Sequence, residues 1–200
     1  QGKIINSIDS PNNYLKVFGN ENLSFVKNAI QGKKIVRLGR RGKYIIIHLN
    51  KGHLILHLRM TGKLLLQGLQ KKFDKHLSFR IDFNDNSNLY FYDTRKFGRI
   101  YFSKTLNWLE QKLGIEPLSM EFNLRWLTQS LGQRKRMMKP LLLDQSFIAG
   151  LGNIYIDEIL WKSNIHPLSL SNKIPEQIIP EHRPEQDGQG PSRRTGTPGW

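Results

Sequence analysis

The chain has 200 residues, with 31 Lys and Arg against 16 Asp and Glu, a formal charge of +15 and no cysteine. That length builds one ordinary domain or two small ones. Without cysteine, disulfides, thiolate zinc sites and a cysteine nucleophile are excluded, and no apolar run reaches the roughly 18 residues of a membrane span.

Arg183, Arg193 and Arg194 balance Glu181, Glu185 and Asp187 in the last twenty residues, so the whole excess lies in residues 1–180. Cations in such excess, spread through a folding sequence, point to a polyanion partner. The start, Gln1-Gly2-Lys3-Ile4-Ile5, lacks a signal-peptide pattern, and the expected location is the cytoplasm or nucleoid.

From Lys3 to Phe102 the sequence reads as β-structure. Residues 34–38, 43–49, 53–58, 76–83, 88–92 and 99–102 are short, β-branched or aromatic runs, several of them alternating. Asn50-Lys51-Gly52 and residues 84–88 supply turn chemistry between them. Antiparallel strands at this spacing make a sandwich or flattened barrel. Residues 22–31 read as one helix among them, with Leu23, Val26, Ala29 and Ile30 on one face.

Around Trp108 the period changes. Leu106, Leu109 and Leu113 suit a short helix ended by Gly114, Asn123 caps a second, and a third runs from about Met138 through Leu143. Arg134, Lys135, Arg136 and Lys139 read as a basic run on the helix before a glycine turn, Gly150-Leu151-Gly152, which launches a fourth. Unpaired N–H groups at a helix start carry positive partial charge, so turn and helix together suit a phosphate. After Pro180, Gly, Pro and charge dominate, and the expectation there is disorder. The predicted class is α+β: an antiparallel β-sandwich over residues 1–104, a helical domain over 105–180, and a tail over 181–200.

At this point the residues match a family. Gly42-Lys43-Tyr44, the run from His57 to Gly62, the run from Asp93 to Gly98, the run from Gly114 to Leu118, Lys139-Pro140, and Gly150 through Glu158 followed by Ile165-His166-Pro167 occur in order. Over about residues 1–180 the chain resembles the formamidopyrimidine-DNA glycosylase family, bacterial repair enzymes that remove oxidised purines and cut the abasic strand. The resemblance implies a β-sandwich followed by a helix-two-turn-helix module, with double-stranded damaged DNA as partner, a monomeric protein and no membrane. It implies that the target nucleotide is flipped out, because its glycosidic carbon is unreachable inside the stack. An amine then attacks that carbon, and elimination from the Schiff base breaks the strand.

Carried over by motif, Lys43 is the proton donor for elimination. Met60, Arg95 and Phe97 are the wedge that fills the gap left by the flipped base, and His76, Arg95, Lys135, Lys139 and Asn153 contact DNA. Glu158 matches a family acid and is read as holding the turn or ordering water. His53 and His57 lie four apart on one strand face, yet no carboxylate or thiolate completes a metal set, so they read as ordinary strand residues and no metal site is assigned.

Two departures stand beside the matches. The family's nucleophilic proline and the glutamate after it precede the point where this sequence starts, and the family's four-cysteine zinc finger is absent. The expectation is therefore a chain truncated at both ends, without a cofactor, that binds DNA weakly and does not excise. One rival reading is a non-catalytic module for damaged DNA. Another is RNA or ribosome binding through the helical module alone, which leaves Met60, Arg95 and Phe97 without a role.

Overall fold

The computed structural model describes residues 1–19 and 21–175; the tail expected over 181–200 lies outside them. Two four-stranded antiparallel sheets form the first half. One runs β1 (Ile5–Asp9), β6 (Leu77–Phe83), β7 (Asn88–Tyr92), β5 (Lys63–Leu65); the other runs β2 (Ile35–Arg41), β3 (Tyr44–Leu49), β4 (His53–His57), β8 (Arg99–Ser103). The predicted sandwich and its strands are thus present, with β1 and β5 added to those singled out from sequence.

Both faces of the second sheet are apolar, and its sequence says why. A sheet covered on one side alternates apolar and polar residues, whereas Tyr44-Ile45-Ile46-Ile47 and Leu54-Ile55-Leu56 are continuous, the pattern of strands buried on both sides. Ile47, Leu49, Leu54 and Leu56 face Ile5, Ile8, Phe79, Ile81 and Phe91 of the opposite sheet. Tyr44, Ile46 and Ile55 turn the other way and pack on Leu109, Leu113 and Ala149 of the helical half. Fully burying such side chains stabilises by about 1.5–3 kcal/mol each.

Helix α1 (Leu23–Ile30) starts where Asn22 accepts a hydrogen bond from the Phe25 amide, and buries Val26 and Ile30 on the sandwich core. In the helical half, α2 (Asn107–Lys112), α3 (Leu124–Gly132), α4 (Met138–Leu143) and α5 (Asn153–Lys162) follow in order. Asn123 caps α3 as expected, accepting from the Trp126 amide at 2.9 Å. Leu131, Met138, Leu141, Phe147, Ile156 and Leu160 form a separate core here. One expectation fails: Arg134, Lys135 and Arg136 lie in the loop between α3 and α4, and of that basic run only Lys139 is helical. The physical reason is local, since α3 ends at Gly132 and its C-cap, Gln133, already closes it. Among the described residues no helix is long and apolar enough to cross a membrane.

Candidate nucleic-acid interface

The hairpin between β2 and β3 reaches across to the helical half. Gly42 sits at its tip with φ +54°, and a Cβ there would stand 3.2 Å from Leu113 Cδ1 and 3.4 Å from Ala149 Cβ. Glycine allows both the left-handed backbone and this close approach. Lys43, the next residue, extends over the glycine turn, so that a Cβ on Gly152 would lie 3.6 Å from its Nζ. The two turn glycines therefore serve different ends. Gly150 takes φ +96°, while Gly152 is extended, φ −125°, and leaves room for the ammonium.

Gly152 is the N-cap of α5 and offers no side-chain cap, so the first amides of the helix point outward unpaired. An ammonium beside an uncapped helix start concentrates positive potential at one spot. Burial lowers the Lys43 pKa, which makes its ammonium a readier proton donor. The turn itself is held by Gln145, whose Nε2 donates to Leu143 O and Leu151 O, both at 2.9 Å, and whose Oε1 accepts from Gly150 N at 3.0 Å. Glu158, read from sequence as holding the turn or ordering water, is exposed on α5, one turn or more along the helix.

Glu116 fixes the hairpin against the helical half. It accepts from Gly42 N, from Arg40 Nη2 at 2.8 Å and from Arg41 Nη1 at 3.1 Å, while Arg41 Nε also pairs with Glu110 at 2.8 Å. Burial works against the Glu116 carboxylate, but the Gly42 amide and the two guanidiniums outweigh it and hold the carboxyl below its ordinary range.

Met60, Arg95 and Phe97 come together from two loops. Arg95 Nη1 stands 3.2 Å from Met60 Sδ, and its guanidinium carbon lies 5.1 Å from the Phe97 ring centre. Both apolar side chains face outward, Met60 at 71% and Phe97 at 48% exposure. Asp93, 1% exposed, staples the loops from below. It accepts from Thr61 Oγ1 at 2.5 Å, Gly98 N at 2.6 Å and Arg95 N at 3.2 Å. Burial opposes its charge, but those bonds, with one from the Phe97 amide, hold its carboxyl below the usual value. Arg59 and Lys96, next to Met60 and Phe97, take left-handed φ of +56° and +59°. Non-glycine residues rarely adopt that region, and such strain gathers where a surface must be presented.

His57 is a strand residue, as expected, and it is also a specifically hydrogen-bonded one. It ends β4 opposite Tyr44 and Arg99, and its Nδ1 accepts from Arg59 N at 3.0 Å. That bond leaves the ring proton on Nε2, which has no hydrogen-bond partner among the described residues. Burial, then the charges of Arg59, Lys43 and Lys112, push its pKa down to about 4, so the ring is a neutral donor at pH 7. A histidine with a folded pKa below its unfolded value of 6.5 contributes stability that is fully present above pH 6.5 and lost as pH falls towards 4. His48 and His53 are shifted the same way, first by burial. Urea unfolding of wild type and His57→Gln at pH 7 and pH 4.5 is expected to show a smaller acid loss in the variant; equal losses would take His57 out of this role.

His76 closes a 3-10 turn, Lys71–His76, and its carbonyl accepts from Asp93 N at 2.9 Å, which sets it beside the stapled loops. Asn153 is the exposed first residue of α5. Lys135 is exposed in the α3–α4 loop, and Lys139 pairs with Asp157 at 2.6 Å. Sequence reading missed Asp93, Gln145, His57 and Glu116 as organisers; all but Gln145 sit inside the quoted motifs, and that was the available signal.

The Formamidopyrimidine-DNA glycosylase N-terminal domain matches residues 1–100, and the Formamidopyrimidine-DNA glycosylase H2TH domain matches residues 113–181. The formamidopyrimidine-DNA glycosylase of Protochlamydia amoebophila is 44% identical over 146 residues, covering 72% of this chain and 53% of its own. That of Pelotomaculum thermopropionicum is 42% identical over 178 residues, covering 86% and 64%. The chain thus spans between about half and two thirds of the length of these curated relatives. The Lactococcus lactis formamidopyrimidine-DNA glycosylase, solved non-covalently bound to DNA containing an abasic site, superposes with a TM-score of 0.80 at 35% identity, covering 89% of this chain and 69% of that one. The Lactococcus lactis complex with DNA containing FAPY-dG gives 0.78 at 34%, covering 89% and 68%. With both halves matched and the sandwich and helical module arranged alike, this chain belongs to the formamidopyrimidine-DNA glycosylase family.

Proposed function

We propose that this chain is the DNA-gripping core of a base-excision repair enzyme that removes oxidised purines and cleaves the abasic strand. What supports the reading most is the Met60, Arg95 and Phe97 trio. Two large apolar side chains held outward on strained, stapled loops beside an arginine are costly to keep in water and suit insertion between base pairs. The relatives solved on abasic and FAPY-dG DNA point the same way.

In this reading the sandwich and the described helical half are the two walls of a DNA cleft. The trio occupies the stack as the damaged nucleotide leaves it, and Arg95 hydrogen-bonds the base left behind, which offsets part of the few kcal/mol of unstacking. A phosphate of the damaged strand settles on the α5 amides, Asn153 and Lys43, with the neutral His57 Nε2–H as a further donor. Once a Schiff base forms at C1′, loss of the C2′ proton drives the C3′–O3′ bond to break. The electron pair goes to the departing phosphate oxygen, to which Lys43 gives a proton. His76, Lys135 and Lys139 contact the flanking backbone, Lys139 after exchanging Asp157 for phosphate. The protein acts as a monomer on chromosomal DNA in the cytoplasm.

Equilibrium binding to short duplexes tests this. The 200-residue chain is expected to prefer a duplex with a central abasic analogue over the undamaged duplex and over RNA. Met60→Ala with Phe97→Ala should remove about tenfold of that preference. Lys135→Ala should flatten the dependence of log affinity on log salt by about one. Equal affinity for all three nucleic acids would overturn the reading.

A further inference from the structure

Beside the wedge lies an open cavity of about 400 Å³ lined by Arg59, Met60, Phe97, Arg99 and Tyr101. Nothing above assigns it a role. Arg99 Nη1 donates to Gly98 O at 2.7 Å and Lys96 O at 3.2 Å, so one edge of the guanidinium is tied to its own loop. The other edge, Nε and Nη2, has no partner among the described residues. Tyr101, two residues on along β8, is held edge-on to Trp108 at 5.8 Å.

Arg40, Arg41, Arg80 and Arg136 each pair with a carboxylate. Arg59, Arg95 and Arg99, like Arg37, Arg125 and Arg134 elsewhere, pair with none among the described residues, and these three gather around Met60 and Phe97. A guanidinium pinned along one edge and free along the other presents the planar fork that matches a phosphate.

Position says which phosphate. Tyr44, His57 and Arg99 stand in one row across β3, β4 and β8, and Lys43 adjoins Tyr44. Strands lie about 4.8 Å apart, so Arg99 is roughly 10 Å from the strand that Lys43 begins, at the outer edge of the sheet. The grooves of the duplex are about 6 Å and 12 Å wide, so a cation roughly 10 Å from one backbone contact is within a side chain's reach of the other backbone. With Lys43 and the α5 amides on the damaged strand in the reading above, Arg99 is the cation of this row set furthest out towards the other one.

We propose that Arg99, assisted by Arg59 and Tyr101, binds a phosphate of the undamaged strand next to the wedge, clamping the duplex from the side opposite the extruded nucleotide. This rests on the reading of the trio as a DNA wedge. A far-side contact steadies the partner strand while its neighbour is distorted, which the lesion-side residues cannot do.

The test is a cycle with duplexes bearing an abasic analogue and one neutral methylphosphonate at a chosen position. Arg99→Gln should weaken binding to the all-phosphate duplex by about tenfold. Neutralising one phosphate of the undamaged strand, within about three nucleotides of the lesion, should weaken wild type equally and leave the variant unchanged. Arg99→Lys, which keeps the charge without the fork, should lie between. Coupling confined to the damaged strand, or equal loss by the variant on every duplex, would overturn the assignment while leaving the wedge reading intact. A wild-type chain with no preference for the abasic duplex would remove both.

Discussion

Asp93→Ala is expected to lower the unfolding free energy by about 3–5 kcal/mol and to abolish preference for abasic DNA. The carboxylate is buried and accepts from the Thr61 hydroxyl and from the amides of Arg95 and Gly98. Alanine leaves all of these donors in a space closed to water, and each unmet buried donor costs about 1–3 kcal/mol. The same change frees both loops, so Met60, Arg95 and Phe97 lose the backbone that aims them. Asp93→Asn keeps an acceptor and the shape, and should lose about half as much. Because the folded carboxyl titrates below its usual 3.8, its contribution is fully present above that pH and fades as pH falls through the lower folded value. Urea titrations at pH 7 and pH 3.5 measure both points. A loss in Asp93→Ala of under about 1 kcal/mol would show that the staple is dispensable.

Glu116→Ala should cost about 3 kcal/mol and weaken abasic-duplex binding more than tenfold without dissolving either core. Its side chain and that of Arg41 are 19% and 17% exposed, so removing the acid leaves the Gly42 amide and one edge of a largely covered guanidinium without their acceptor. Arg41 keeps Glu110 at 2.8 Å and the Gly114 carbonyl at 2.7 Å, but its covered charge has lost one of two counterions. The hairpin is then held by those Arg41 bonds and by apolar contacts to Leu113 and Ala149, and with the Gly42 amide released Lys43 drifts from the start of α5. Glu116→Gln retains an acceptor for Gly42 and should recover part of the stability but little of the affinity. Wild-type affinity in Glu116→Ala, measured where the protein is fully folded, would separate Lys43 placement from this clamp.

Much of the fold could be read from local pattern. The continuous apolar runs of β3 and β4 announced strands, the apolar face of residues 22–31 announced α1, and Asn123 announced the start of α3, because a cap acts on an amide only three residues ahead. β1 escaped notice because its pairing with β6 shifts between Ile5 and Ser7, which breaks the two-residue period. β5 is three residues long, below what any window detects. The exposed trio of Met60, Arg95 and Phe97 was singled out only through motif resemblance, since Met60 and Phe97 in isolation look like core. His57 and Gln145 were illegible for a different reason. The first depends on the amide two residues later and on cations from other elements, and the second bonds backbone groups that a turn has gathered. Neither spacing nor composition encodes such convergence.

The sheet β2-β3-β4-β8 is the common wall of two apolar interiors. A division of the sequence near residue 104 is therefore not a line along which the protein can be cut. Severed there, the first half would carry a bare greasy flank of Tyr44, Ile46 and Ile55, and the second would lose the surface on which Leu109, Leu113 and Ala149 rest. The two halves thus share their fate on heating, and a ligand that braces one of them braces the other.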